Sequence, residues 1–186
     1  MQQHTTRLVA LSCLTASMFA SCGVRESDSV RTSGTVNSER YPDDAETRAA
    51  AAFLVERTDA LMAGTLTSEL ALERATRDDV KLHASDMLKD QPQLLSELRA
   101  IGGILGVSLP ERVSDEKAAS IKSLSEQPGA EFDRKFLDMM RADHQRDVAA
   151  FRKAMTSENS EVRSFAARHI QMVEGHLNHI EQLSSR

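Results

Sequence analysis

The chain has 186 residues, 40% hydrophobic and 27% charged, with six Phe, one Tyr and no Trp. That composition is enough to bury one sizeable core of aliphatic and methionine side chains in one domain. The formal net charge of −5 and the lack of any basic cluster argue against a nucleic-acid partner, which would need a basic face to neutralise phosphates.

At the N-terminus, Arg7 precedes the apolar run LVALSCLTASMFA, Leu8 to Ala20. The run is shorter than the roughly 20 apolar residues that span a bilayer, but it has the size of a secretory h-region. It ends in FASC, small residues directly before Cys22, which resembles the lipobox of bacterial lipoproteins, with Phe19 where that motif prefers Leu, Val or Ile. The expectation is a lipoprotein-type signal peptide over 1–21 and lipid attachment at Cys22. The protein would then be exported and anchored to a membrane, periplasmic or at the outer membrane. A plain signal peptide cleaved nearby is the alternative. Cys13 is a poorer attachment point, because only about five apolar residues precede it. These are the only two cysteines, so a mature chain cut at or after Cys22 forms no internal disulfide. The polar stretch that follows has almost nothing to bury, and residues 22–42 read as a flexible tether.

A helical domain is expected over 43–186. In PDDAE, Asp43 and Glu46 stand in a capping-box relation, opening a helix to about Arg74 with Phe53, Leu54, Leu61, Leu66 and Leu72 toward its inner side and Gly64 as its weak point. Thr76 and Asp79 repeat the capping relation. Behind them Val80, Ala84, Met87, Gln91, Leu94, Leu98 and Ile101 alternate spacings of four and three, a heptad seam. Pro92 interrupts this helix. It removes a backbone donor and clashes with the carbonyl of Leu88, at a cost of about 3 kcal/mol unless the helix kinks or restarts. The plainer reading is local strain tolerated by tertiary packing; in the other, Asp90 caps such a restart, and Asp90 and Gln91 border a polar pocket in the bundle centre.

GGILGVSLPE supplies a loop, and SDEKAASIKSLSEQPG reads as a short helix stopped at Pro128 and Gly129. The third long helix carries an inner stripe of Phe132, Phe136, Met140, His144, Val148, Phe151 and Met155. The fourth carries Val162, Phe165, His169, Val173, His176, Ile180 and Leu183. The fold expected is all-α, an antiparallel four-helix bundle with a short extra helix before the third long helix.

Four stretches carry a family likeness: LALERATRDDVKLHASDMLKD, VSLP, GAEFDRKFLDMMRADHQRDVAAFRKA and EVRSFAARHIQMVEGHLNHIEQL. Over about Ala50 to Leu183 the chain resembles domain-of-unknown-function family 4142. The resemblance implies a ferritin-like bundle in an exported bacterial protein, of the kind described as outer-membrane proteins or lipoproteins, and it names no activity. It also implies histidines at the positions of His144 and His176, a histidine on the second long helix directly after an Asp, and a glutamate on the first. This chain has DQP at the former, hence Gln91, and Gly64 or Leu66 at the latter. Two of four implied ligands are therefore replaced.

A ferritin-like di-metal centre needs Glu-x-x-His on two helices. Val80, Arg141, Ala166, Val173 and His176 occupy the places three before His83, His144, His169, His176 and His179, so that centre is not encoded. A simpler site for a divalent transition metal would use His144 and His176, both on inward stripes, against the plainer role of hydrogen-bonded core histidines. His169 lies about 10.5 Å from His176 along a helix and cannot share an ion with it. His179 turns toward the edge, where hydration suits it. The methionines Met87, Met139, Met140, Met155 and Met172 read first as gap-fillers, although thioethers also bind Cu(I).

No nucleophile-base set, phosphate loop or Cys motif appears, so no catalytic residues are assigned. Two functions follow. One is a lipid-anchored, non-enzymatic binding or envelope-maintenance module with an unidentified protein partner. The alternative is a metal-handling ferritin-like protein.

Overall fold

The computed structural model describes residues 28–186. The signal peptide expected over 1–21, the lipid site at Cys22 and the first residues of the expected tether lie outside them. Among the described residues there are six helices: α1 (Ser29–Arg40), α2 (Ala45–Arg74), α3 (Asp78–Leu105), α4 (Asp115–Ser125), α5 (Gly129–Ala154) and α6 (Ser160–Ser184). The all-α, ferritin-like bundle is formed by α2, α3, α5 and α6. α2 pairs with α3 and α5 with α6, and these hairpins join through α2 against α5 and α3 against α6.

Hydrogen bonds at the two ends give the direction of each helix. Tyr41, just before α2, donates to Leu105 O at the end of α3 (2.8 Å). At the other end, Arg74 donates to Gln127 O ahead of α5 (3.1 Å), and Arg77 to Leu183 O near the end of α6 (3.0 Å). The order is therefore up, down, down, up. The loop, α4 and its flanks carry the chain back along the bundle as the single crossover found in ferritin-like folds.

The caps differ from those the sequence implied. Asp44, not Asp43, starts α2, accepting Thr47 N–H at 2.8 Å. No local side chain caps α3. Its entrance is held by Asp133 of α5, whose carboxylate accepts the N–H of Thr76 and of Arg77, both at 3.0 Å. α4 is capped by Ser114, itself clamped to Asp59 of α2. At the end of α3, Gly106 adopts φ 64° and Val107 N–H reaches back to Gly102 O at 2.8 Å, a left-handed helix stop that glycine adopts without strain.

Three other expectations change. Residues 29–40, assigned to the flexible tether, form α1 packed on α2. Its contacts are polar, with Asn37 exchanging two 2.8 Å hydrogen bonds with Ser108, so it left no hydrophobic periodicity to read. Leu66, Leu72 and Met155 face outward. The inner face of α2 is instead lined by small residues, among them Ala50, Ala51, Thr58, Ser68 and Ala71, which allows close helix approach. Pro92 lies within an unbroken α3, so Asp90 caps no restart.

The interior is divided. One apolar cluster gathers Leu54, Leu94, Leu98, Val148, Phe151, Phe165 and Val173. The other gathers Val80, Met87, Phe132, Phe136, Met140 and Ile180. On α3, α5 and α6 the residues falling between the two, Gln91, His144 and His176, are polar.

Candidate metal site between the two cores

Beside this polar layer lies a partly open cavity of about 40 Å³. His144, His176, Asp90 and Gln91 line it, together with Met87, Met140 and Met172. Asp90 and Gln91, expected to border a polar pocket beside Pro92, line this cavity together with apolar residues such as Leu61, Leu94 and Phe151, in an α3 without a break.

Each of the two histidines has one ring nitrogen committed. His144, only 4% exposed, meets Met140 O through Nδ1 at 2.9 Å. A carbonyl only accepts, so Nδ1 carries the proton and Nε2 keeps its lone pair. His176 places Nε2 2.9 Å from Asp90 Oδ2. The carboxylate accepts from Nε2–H, leaving Nδ1 as the ring nitrogen outside that contact. The two rings are 5.8 Å apart, edge to face. Burial pushes the His144 pKa down to about 4, with His176 adding to the effect and the Met140 contact opposing it. His144 is therefore neutral at pH 7, as a metal ligand must be.

Gln91 is 4% exposed and its amide lies against the backbone of α2. A Cβ on Gly64 would stand 2.4 Å from that amide, so the glycine judged a weak point in α2 is what admits Gln91. Thr65 Oγ1 is 3.0 Å from the same amide and 2.9 Å from Leu61 O. The contact to the amide is to its oxygen, so the single hydroxyl proton is shared between two acceptors, Leu61 O and Gln91 Oε1. Buried Arg57 borders the cavity and pairs with Asp147 and Glu56. Of the lining carboxylates, Asp147 is answered by Arg57, Asp143 by Arg146 and Lys117, and Asp90 by His176.

The sequence reading passed over His83 and placed His179 at the solvent edge. His83 is wholly buried, and its Nδ1 lies 3.2 Å from Nδ1 of His179. Its Nε2 is buried with no partner among the described residues. Burial, then the neighbouring His179, His144 and His176, push its pKa down to about 3. A usable signal was present: His83, Met87 and Gln91 recur at intervals of four, one stripe on α3. His169 stays apart, paired with Glu97 at 2.9 Å. Among the described residues no three His, Cys, Asp or Glu side chains, as they stand, converge to hold an ion. Convergence would need thioethers or ring rotation.

A four-helix, ferritin-like bundle with a histidine-bearing polar layer is thus the class of protein defined by the fold. The chain belongs to the family Domain of unknown function (DUF4142), which matches residues 37–183. Among solved structures it is similar to a DUF305 fragment from Deinococcus radiodurans, with 23% identity, 74% of this chain and 96% of that one covered, and a TM-score of 0.66. It is also similar to CopM in the Cu(II)-bound form, with 18% identity, 73% and 95% covered, and a TM-score of 0.62. At these identities the likeness is one of fold. No curated protein matches the chain.

Proposed function

We propose that this protein is an exported, lipid-anchored binding module that holds a copper(I) ion in the polar layer through His144, His176 and the neighbouring thioethers. The observation that carries this reading is the fixed tautomer of both histidines. Metal-ligating imidazoles characteristically donate their other N–H to a carboxylate or a backbone carbonyl, and here Asp90 and Met140 O occupy those roles.

Size and softness support the same ligand. About 40 Å³ holds an ion or one to a few waters, far below the roughly 300 Å³ at which small-molecule pockets begin. Thioether sulfur with imidazole nitrogen selects Cu(I) over Mg, Ca or Mn. Asp90, which among the lining carboxylates is paired with a histidine rather than with Lys or Arg, supplies the negative charge nearest the imidazoles. A copper-bound structure shares the fold, which adds support at the level of architecture only. The metal would be bound rather than used in catalysis, since the chamber has no room beside it for an organic substrate.

Anchoring rests on the sequence around Cys22. With α1 beginning at Ser29, a lipid on Cys22 would hold the bundle within about 25 Å of the membrane surface, seven residues of extended chain. Metabolic fatty-acid labelling should vanish in Cys22→Ser, and persistent labelling would refute the site.

For copper, the full chain in detergent is titrated with Cu(I) under reducing, anaerobic conditions against a chromophoric chelator. One equivalent should be retained by the wild type and lost in the His144→Leu, His176→Leu double variant. Retention no greater than in that variant sinks the proposal.

A further inference from the structure

We infer that His83, held in place by His179, is a third nitrogen ligand of the same ion, which would be shared by histidines on α3, α5 and α6. This rests on the copper reading above and extends it to two residues that lie outside the cavity lining.

Three observations converge on His83. The first is its orphaned nitrogen. Buried polar atoms are satisfied in the great majority of cases, and an exception calls for an explanation such as an ion. His83 Nε2 is buried and unpartnered while Nδ1 of the same ring is engaged.

The second is the tautomer. One proton lies between the two Nδ1 atoms. If His179 supplied it, His83 would keep its own proton on Nε2 as an orphaned buried N–H, which is the rarer and costlier arrangement. If His83 supplies it, the orphan is a lone pair, and half-exposed His179 turns its own N–H toward water. His179 is then to His83 what Asp90 is to His176 and Met140 O is to His144: a partner that fixes the ring and leaves the other nitrogen bare.

The third is spacing. With metal–nitrogen bonds of about 2.0–2.1 Å, two imidazoles on one ion have ring centres about 5.2 Å apart at a tetrahedral angle and about 6.4 Å apart when opposed. The His83 and His176 rings are 6.2 Å apart and the His144 and His176 rings 5.8 Å, both inside that interval. His176 thus stands at ligand spacing from each of the other two rings, and the third pair, His83 with His144, is the one that movement of the rings on binding must close.

The test is Cu(I) affinity of the full chain together with the number of imidazoles per copper from X-ray absorption. The wild type should show three. His83→Leu should show two, with at least a 10-fold weaker affinity. His179→Ala, a positioning variant, should weaken binding 10- to 100-fold, the usual effect of removing a partner that orients a ligand, and should lower the imidazole count. Leucine fills the His83 site and removes an orphaned polar atom, so this variant should melt no lower than the wild type. Should it fail to fold, His179→Ala decides alone. Unchanged affinity and imidazole count in the variants, with binding still lost on removing His144 and His176, overturns the role of His83 and leaves the copper reading intact. No copper bound by any form overturns both.

Discussion

Acid should destabilise the metal-free protein through its buried histidines, and the size of the effect follows from the structure. The pKa values of His83 and His144 are pushed from 6.5 down to about 3 and about 4, chiefly by burial. In the unfolded chain both return toward 6.5, so below that pH the unfolded state takes up protons that the folded state refuses. Stability is thus full above about pH 6.5 and is lost as pH falls toward 4 and then 3. Between pH 7 and pH 5 the loss is about 2 kcal/mol per histidine, about 4 kcal/mol together. The assay is urea unfolding at pH 7 and pH 5 with a chelator present, comparing the wild type with the His83→Leu, His144→Leu double variant at unchanged denaturant slope. The variant should lose about 4 kcal/mol less over this range. Equal losses in the two proteins would refute the account of these rings as neutral and desolvated.

Asp133→Ala removes the acceptor for two backbone donors at the start of α3 and should cost about 2–4 kcal/mol, read as a lower urea midpoint. Pro92→Ala restores a donor to the Leu88 carbonyl inside a helix that already runs through the site, and should raise stability by about 1–3 kcal/mol in the same experiment. Gly64→Ala forces the Gln91 amide off the α2 backbone and into the cavity. The helix-propensity gain of about 1 kcal/mol offsets much of the strain, so thermal melting should change little while Cu(I) affinity falls in chelator competition.

The long helices and most of their buried faces were legible because side chains three and four apart share a helix face. Val80 through Ile101, Phe132 through Phe151 and Val162 through Leu183 bury largely where the heptads place them. α2 was read less well. Its leucines at 66 and 72 face outward, because the inner face is built from alanine, serine and threonine, residues too small or too polar to register as a hydrophobic stripe. α1 was missed for a related reason: it docks through Asn37 and Ser33 rather than through an apolar edge.

Of the site, His144, His176, Asp90 and Gln91 could all be named from sequence, yet their relations could not. Asp90 looked like a cap for a broken helix and is instead the partner of a histidine 86 residues away. His83 lies beside the heptad seam rather than on it, and only its interval of four to Met87 and eight to Gln91 pointed to its burial. Asp133, the cap of α3, is 57 residues from the Thr76 N–H it accepts.

By itself, the sequence determined the four long helices and the short α4, the approximate ends of the long ones, the face each of the last three long ones buries and the presence of polar residues on those faces, since all of these depend on neighbours within two turns. Only the tertiary structure decided the up-down-down-up order and the axial register that brings residues 83, 90, 144, 176 and 179 into one layer. Register arises from packing between helices far apart in the chain, where a slide of one turn, about 5.4 Å, leaves every local pattern unchanged and takes the histidines out of reach of one another.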